Sequence, residues 1–166
     1  MPVSQINSAS IENGGVAQVD LAAGVSGNGP AFSAWASSTT SCANGVVTKI
    51  SFPTELFDTA SCYNTATSNF TPNVAGYYQV NTSVYFAGVT SQYGFLIIRK
   101  NGVEFAYGSG LIGTVGGALS TGSCLVYMNG TTDYLDIAAI QYAGTTQVVA
   151  SIAATTFFQA SMVRGA

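Results

Sequence analysis

Residues 70–86, FTPNVAGYYQVNTSVYF, read as a strand with two unequal faces. A period of two puts Tyr78, Val80, Thr82, Val84 and Phe86 on one side, and Tyr77, Gln79, Asn81, Ser83 and Tyr85 on the other. The first set has the composition of a sandwich core. The second carries no charge but two tyrosines, which suits a surface that leaves water only when another subunit arrives. TFFQASMVR, residues 156–164, repeats the division, with Phe158, Ala160 and Met162 on one side and Phe157, Gln159 and Ser161 on the other.

From Gly29 onward every signal is β. Runs rich in Val, Ile, Thr, Tyr and Phe alternate with Gly, Asn and Ser clusters, and no segment of helical length shows a 3.6-residue period. Asn101-Gly102, between two apolar runs, predicts a two-residue type I′ hairpin, because both central positions need positive φ. That register pairs Lys100 with Val103, Arg99 with Glu104, Ile98 with Phe105 and Leu96 with Tyr107. It places Tyr107 in the core and makes Arg99 and Glu104 a cross-strand ion pair. Asn129-Gly130 predicts a second turn, and Ala143-Gly144 ends the strand that follows it. Residues 1–28 contain no aromatic residue, only sparse apolar positions, and the breakers Gly14, Gly15 and Gly24. They cannot form a core alone, so they are expected to anchor or help trimerise a domain spanning residues 29–166.

The segment FTPNVAGYYQV resembles the central strand of the globular head of complement component one, subcomponent q, a family that shares its trimeric jelly roll with tumour necrosis factor. Four further pieces match in order: GPAFSAWASST (29–39), VTKISFPTELFD (47–58), IIRKNGVEF (97–105) and TFFQASMVR (156–164). YMNGTTDYLDI, residues 127–137, is similar to the form found on bacteriophage fibres and virion appendages. The resemblance implies an all-β jelly-roll sandwich of about ten antiparallel strands, a homotrimer, and binding in place of catalysis. It turns Tyr77, Gln79, Tyr85 and Phe157 toward neighbouring subunits. Ala160 and Ser161 stand where the family usually has a glycine and a large apolar residue, a departure at one end of that interface.

Composition narrows the chemistry. In 166 residues, 48% are hydrophobic but only 7% charged, against about 25% charged in ordinary globular domains, so polarity comes from Ser, Thr, Asn, Gln and Gly. Lys49, Arg99, Lys100 and Arg164 are too few for a nucleic-acid surface. The longest apolar runs, such as LDIAAI and VVASIAA, are far short of the roughly 20 residues of a spanning helix, and no membrane insertion is expected. The N-terminus lacks the basic and apolar regions of an export signal, so synthesis in a host cytoplasm is expected. Cys42, Cys62 and Cys124 are then free thiols, with Cys42 and Cys62 in loops where they could pair after release.

The absence of histidine removes the usual general base, and the serines have no activating partner nearby in sequence. GVSGNGPAF and GSGLIGTVGGA lack a Walker lysine and a following helix. Asp133 and Asp136, three apart in a strand, point to opposite faces and make no carboxylate pair. Some relatives hold calcium in a cluster at the trimer apex, to which one of these aspartates could belong; a solvated loop carboxylate and a strand-edge charge account for them more simply. No cofactor is otherwise implied.

The expected function is a non-enzymatic trimeric protein of a bacteriophage virion surface. As a fibre or appendage head it would adhere to a host surface glycan or protein; as a capsid decoration or head fibre it would dock on the shell. In both cases other virion proteins are met through residues 1–28. Tyr93, Tyr142 and Tyr107 lie near strand ends beside glycine, where a ring can stack on a sugar. The hairpin register, which buries Tyr107, ranks Tyr93 and Tyr142 ahead of it.

Overall fold

The computed structural model describes residues 28–88, 93–112 and 116–166. The anchoring role expected of residues 1–28 therefore lies, apart from Asn28, outside the described residues. The described chain is all-β. In chain order its first strands are β1 (Ala31–Trp35), β2 (Thr40–Cys42), β3 (Thr48–Lys49), β4 (Thr54–Asp58), β5 (Tyr63–Asn64), β6 (Asn69–Phe70) and β7 (Gly76–Ala87). Then come β8 (Tyr93–Lys100), β9 (Val103–Tyr107), β10 (Leu111–Ile112), β11 (Gly117–Met128), β12 (Leu135–Gln141), β13 (Gln147–Val149) and β14 (Phe157–Gly165). Eight of these have five or more residues and form the expected jelly roll; the six short ones extend its edges.

Two antiparallel sheets enclose the core. The first runs β2-β13-β7-β14-β1-β4, with β11 along the other edge of β7. The second runs β10-β8-β12-β6-β5, with β9 on β8 and β3 on β12. Alternation decides which side chains meet between them. Tyr78, Val80, Thr82, Val84 and Phe86 of β7 and Phe158, Ala160 and Met162 of β14 are all buried, as their spacing predicts. Phe32 anchors the centre: its ring stacks on Tyr63 and on Phe70, both with centroids at 4.5 Å, and meets the edge of Phe158 at 4.8 Å.

The turn at Asn101-Gly102 has the predicted geometry, with φ of 55° and 76°. Pairing of Lys100 with Val103 and of Arg99 with Glu104 also holds. Beyond that the register shifts by one residue: Ile98 faces Ala106 and Ile97 faces Tyr107. Phe105 is the extra residue of a β-bulge, so Ala106 packs on the core while Phe105 and Tyr107 are exposed. The expected pairings Ile98–Phe105 and Leu96–Tyr107 are thereby corrected. So is the burial of Tyr107.

The ionic pattern differs too. Arg99 makes no ion pair with Glu104 but a two-pronged one with Asp136 on β12, Nε to Oδ1 at 2.6 Å and Nη2 to Oδ2 at 2.9 Å. Lys49 adds a contact to Asp136 Oδ2 at 3.1 Å. Asp136 lies directly opposite Arg99 in the ladder and is buried, and leaving a buried carboxylate uncompensated costs more than a surface pair returns. It is an interior charge of a central strand and not a strand-edge one.

Asp133 precedes β12 and is likewise buried rather than solvated. It ties the two Asn-Gly turns together: Oδ1 accepts from Asn101 Nδ2 at 2.8 Å, and Oδ2 accepts from Asn129 N at 3.0 Å and pairs with Lys100 at 2.8 Å. The Asn101 hydrogen bond first, and the Lys100 contact next, hold the Asp133 carboxyl below its ordinary value of 3.8. Because the folded state binds that proton less well than the unfolded chain, the contribution is present above about pH 4 and fades as pH falls through the folded value. Asp133→Asn is therefore expected to flatten the acid limb of the stability curve. Urea midpoints between about pH 5 and 2.5 should fall less steeply in the variant than in the parent.

All three cysteines are free. Cys42 lies in β2 and not in a loop, and it is buried in the main core together with Cys62. Burial pushes the Cys42 and Cys124 thiols up to about 11.

Candidate functional site

Two outward faces carry clusters of exposed apolar side chains. On the first sheet, β7, β11 and β14 turn their second faces away from the core. Tyr77, Gln79, Tyr85 and Phe157 all lie on this face, three in register with β11 (Tyr127, Leu125 and Leu119) and Phe157 opposite Ser83. Thus β11 contributes Leu119, Leu125 and Tyr127, all exposed and none of them singled out by the sequence reading. The signal was present in GALSTGSCLVYM, where alternate positions Leu119, Thr121, Ser123, Leu125 and Tyr127 are uncharged.

Local contacts fix this face. Tyr77 and Tyr127 meet edge to face at 5.5 Å, and Lys100 Nζ sits 5.7 Å from the Tyr127 ring centre. Beside them a groove of ≈ 560 Å³ runs between Tyr77, Leu125, Tyr127 and Val163, with Arg164 in its wall. In the middle, Gln79 Nε2 donates to Ser123 Oγ at 2.7 Å, and Ser123 Oγ donates to Asn81 Oδ1 at 3.0 Å. Tyr85 donates its hydroxyl to the Gly116 carbonyl at 2.7 Å. The Ser83 hydroxyl, on the same face, is buried without a hydrogen-bond partner.

The second sheet brings Tyr93, Tyr142 and Tyr107 into one strip. Tyr93 and Tyr142 stack at 5.8 Å with 27° between their planes. Phe95 meets the edge of Tyr93 at 5.6 Å and of Tyr107 at 5.1 Å. The bulge in β9 makes this arrangement, since it turns Tyr107 to the outer face opposite Ile97. Beneath the strip, Ile97, Ala138 and Ile140 form a second small core with Phe95 packed on it.

Tyr142 is held in place by backbone and by a buried amide. Its N–H donates to the Tyr93 carbonyl at 2.8 Å. The neighbouring Gln141 donates from Nε2 to the Cys42 and Thr145 carbonyls at 2.9 and 3.0 Å, and accepts from Ala143 N at 2.6 Å. At the other end the Tyr107 hydroxyl donates to Glu104, and that bond raises the pKa of the phenol. Phe95 and Gln141 had no sequence signal of their own, and Glu104 was read only as a partner of Arg99, because their roles follow from which strands are adjacent.

Lys49 and Arg99 are committed to Asp136, Lys100 to Asp133, and Arg164 belongs to the opposite sheet. The strip has a carboxylate, Glu104, at its edge, whose ladder neighbour Arg99 shares the single carboxylate of Asp136 with Lys49. Asp133 and Asp136, taken up by cations, amide groups and a backbone N–H, do not fit a calcium site. Among the described residues no group of three or more His, Cys, Asp or Glu side chains is placed to hold a metal ion.

No family model matches the chain, and no curated protein does. Solved structures do. The globular domain of the zebrafish complement 1qA protein aligns over 82% of this chain and 99% of its own, with a TM-score of 0.56 at 16% identity. Murine APRIL aligns over 80% and 98%, with a TM-score of 0.58 at 12% identity. Eiger TNF from S. frugiperda aligns over 82% and 93%, with a TM-score of 0.55 at 10% identity. The chain thus has the jelly roll shared by the complement head and tumour necrosis factor folds.

Proposed function

We propose that this protein is a non-enzymatic, homotrimeric head on a bacteriophage fibre or virion appendage, which adheres to a surface glycan or protein of the host. The observation that carries the reading is the outer face of the first sheet. Tyr77, Leu119, Leu125 and Tyr127 are exposed there, and the strand positions between them are uncharged. A surface of that composition is stable in water chiefly when another surface covers it. Trimerisation on this face leaves the aromatic strip, on the opposite sheet, free to meet a host. The phage context is supported by the resemblance of YMNGTTDYLDI to phage fibre domains and by the charge-poor composition. Residues 1–28 would dock the trimer on the virion.

Two measurements test this. Sedimentation at micromolar concentration should return the mass of three chains, and a labelled copy should decorate tail fibres or appendages of intact particles. A monomer would remove the trimer from the reading. Label spread over the capsid would replace the fibre head with a capsid decoration.

A further inference from the structure

The aromatic strip on the second sheet has a geometry and a charge that select among ligands. Its rings form a continuous row with centroids 5.8, 5.6 and 5.1 Å apart, Tyr142 stacked on Tyr93 and Phe95 set edge-on to Tyr93 and Tyr107, so no ring is separated from its neighbour as in a cage built around a cation. Tyr93 and Tyr107 are each 59% exposed and Tyr142 is 49% exposed, with faces or edges in water. Neighbouring groups hold them in place as well. Tyr142 is tied by its backbone to Tyr93, Gln141 pins the loop behind it, and Phe95 rests on Ile97, Ala138 and Ile140. Little conformational entropy is therefore lost when a ligand is laid on them.

We infer that Tyr93, Tyr142, Phe95, Tyr107 and Glu104 form a binding site for a neutral saccharide chain, a deepening that rests on the adhesion reading above. The apolar C–H face of a pyranose stacks on a tyrosine ring while the phenol stays hydrated. Glu104 supplies an acceptor for sugar hydroxyls. Its ladder neighbour Arg99 is committed to Asp136, so the carboxylate is left without an ionic partner among the described residues. The same carboxylate, exposed at the edge of the strip, disfavours sialylated, phosphorylated or sulfated chains.

Saturation-transfer NMR and calorimetry of the intact protein with maltohexaose, cellohexaose, chitohexaose and mannohexaose test the inference, with colominic acid and a heparin oligosaccharide as anionic comparators. At least one neutral oligosaccharide should bind, and neither anionic one should compete. Tyr93→Ala combined with Tyr142→Ala should weaken that binding about tenfold or more, with sedimentation and melting unchanged. The matching Phe pair, which keeps the rings, should retain most of it, and Glu104→Gln should weaken it by a smaller factor. Absence of binding by every neutral oligosaccharide, preference for an anionic one, or undiminished binding by the alanine pair would each overturn the site. A trimer that adheres to bacterial envelopes after periodate treatment but not after protease would overturn the saccharide and leave adhesion standing, with a protein as its target.

Discussion

Leu125→Glu should convert the proposed trimer to monomers without unfolding the chain. Leu125 is 55% exposed in the single chain and sits opposite Gln79 in the ladder, so a carboxylate there is solvated and harmless while the chain is alone. Covered by a neighbour, it would have to leave water on a face whose cations are Arg164 in the wall of the groove and Lys100 beside Tyr127, the latter already paired with Asp133. An unpaired buried carboxylate costs several kcal/mol, and a symmetric trimer would incur that three times. A loss of more than about a hundredfold in association is expected. Leu125→Ala removes apolar area without adding charge and should weaken the trimer by far less. Tyr85→Glu is a less clean probe, because Tyr85 also donates to the Gly116 carbonyl within its own chain. Sedimentation velocity across a dilution series, with circular dichroism as the folding control, separates the outcomes. A Leu125→Glu protein that remains trimeric would move the interface off this face.

How far the sequence spoke depended on how local each determinant is. The two faces of β7 and β14 were legible because each strand keeps a period of two against a single core over most of its length, interrupted at the buried Ser83 of β7 and at the register shift between Met162 and Arg164 of β14. The turn at Asn101-Gly102 was legible for a similar reason, since positive φ at both positions is a two-residue requirement. The register two residues further on was not. A β-bulge at Phe105 adds one residue without a glycine to announce it, and that single slip exchanged the places of Ala106 and its neighbours. The consequence reached the candidate site, because it moved Tyr107 from the core to the strip.

Charge placement was illegible for a different reason. Arg99 has Glu104 across the hairpin and Asp136 across β12, and only the fold reveals that Asp136 is the buried one and therefore the one that must be compensated. Tyr93 and Tyr142 were recognisable singly as aromatic residues at strand ends. Their contact depends on β8 and β12 being neighbours, and Gln141, which braces Tyr142, reads in the sequence as an ordinary polar residue. The apolar positions of β11 show the opposite case. Their alternation is plain in GALSTGSCLVYM, yet its meaning rests on β11 lying beside β7 along their whole lengths, where it doubles the uncharged face.

Asp136→Ala is expected to produce the largest loss of stability among the charge substitutions. The Asp136 side chain is 3% exposed, and its partners Arg99 and Lys49 are 17% and 35% exposed, so removal leaves a mostly buried guanidinium without its counterion. Breaking a buried pair in this one-sided way costs about 3 kcal/mol or more, well beyond the value of a surface pair. For a domain of this size that corresponds to a fall in melting temperature of about 6–12 °C. Asp133→Ala should cost less, since Lys100 is more exposed than Arg99 and also donates to the Tyr127 carbonyl at 2.7 Å. Glu104→Ala, at an exposed site with no cationic partner among the described residues, should stay within about 0.5 kcal/mol of the parent and serves as the control. Melting must be compared at one protein concentration, because association on the first sheet would add a concentration-dependent term to every variant. Equal melting of the Asp136 and Glu104 variants would mean that the Arg99–Asp136–Lys49 cluster contributes no more than a solvent-exposed pair.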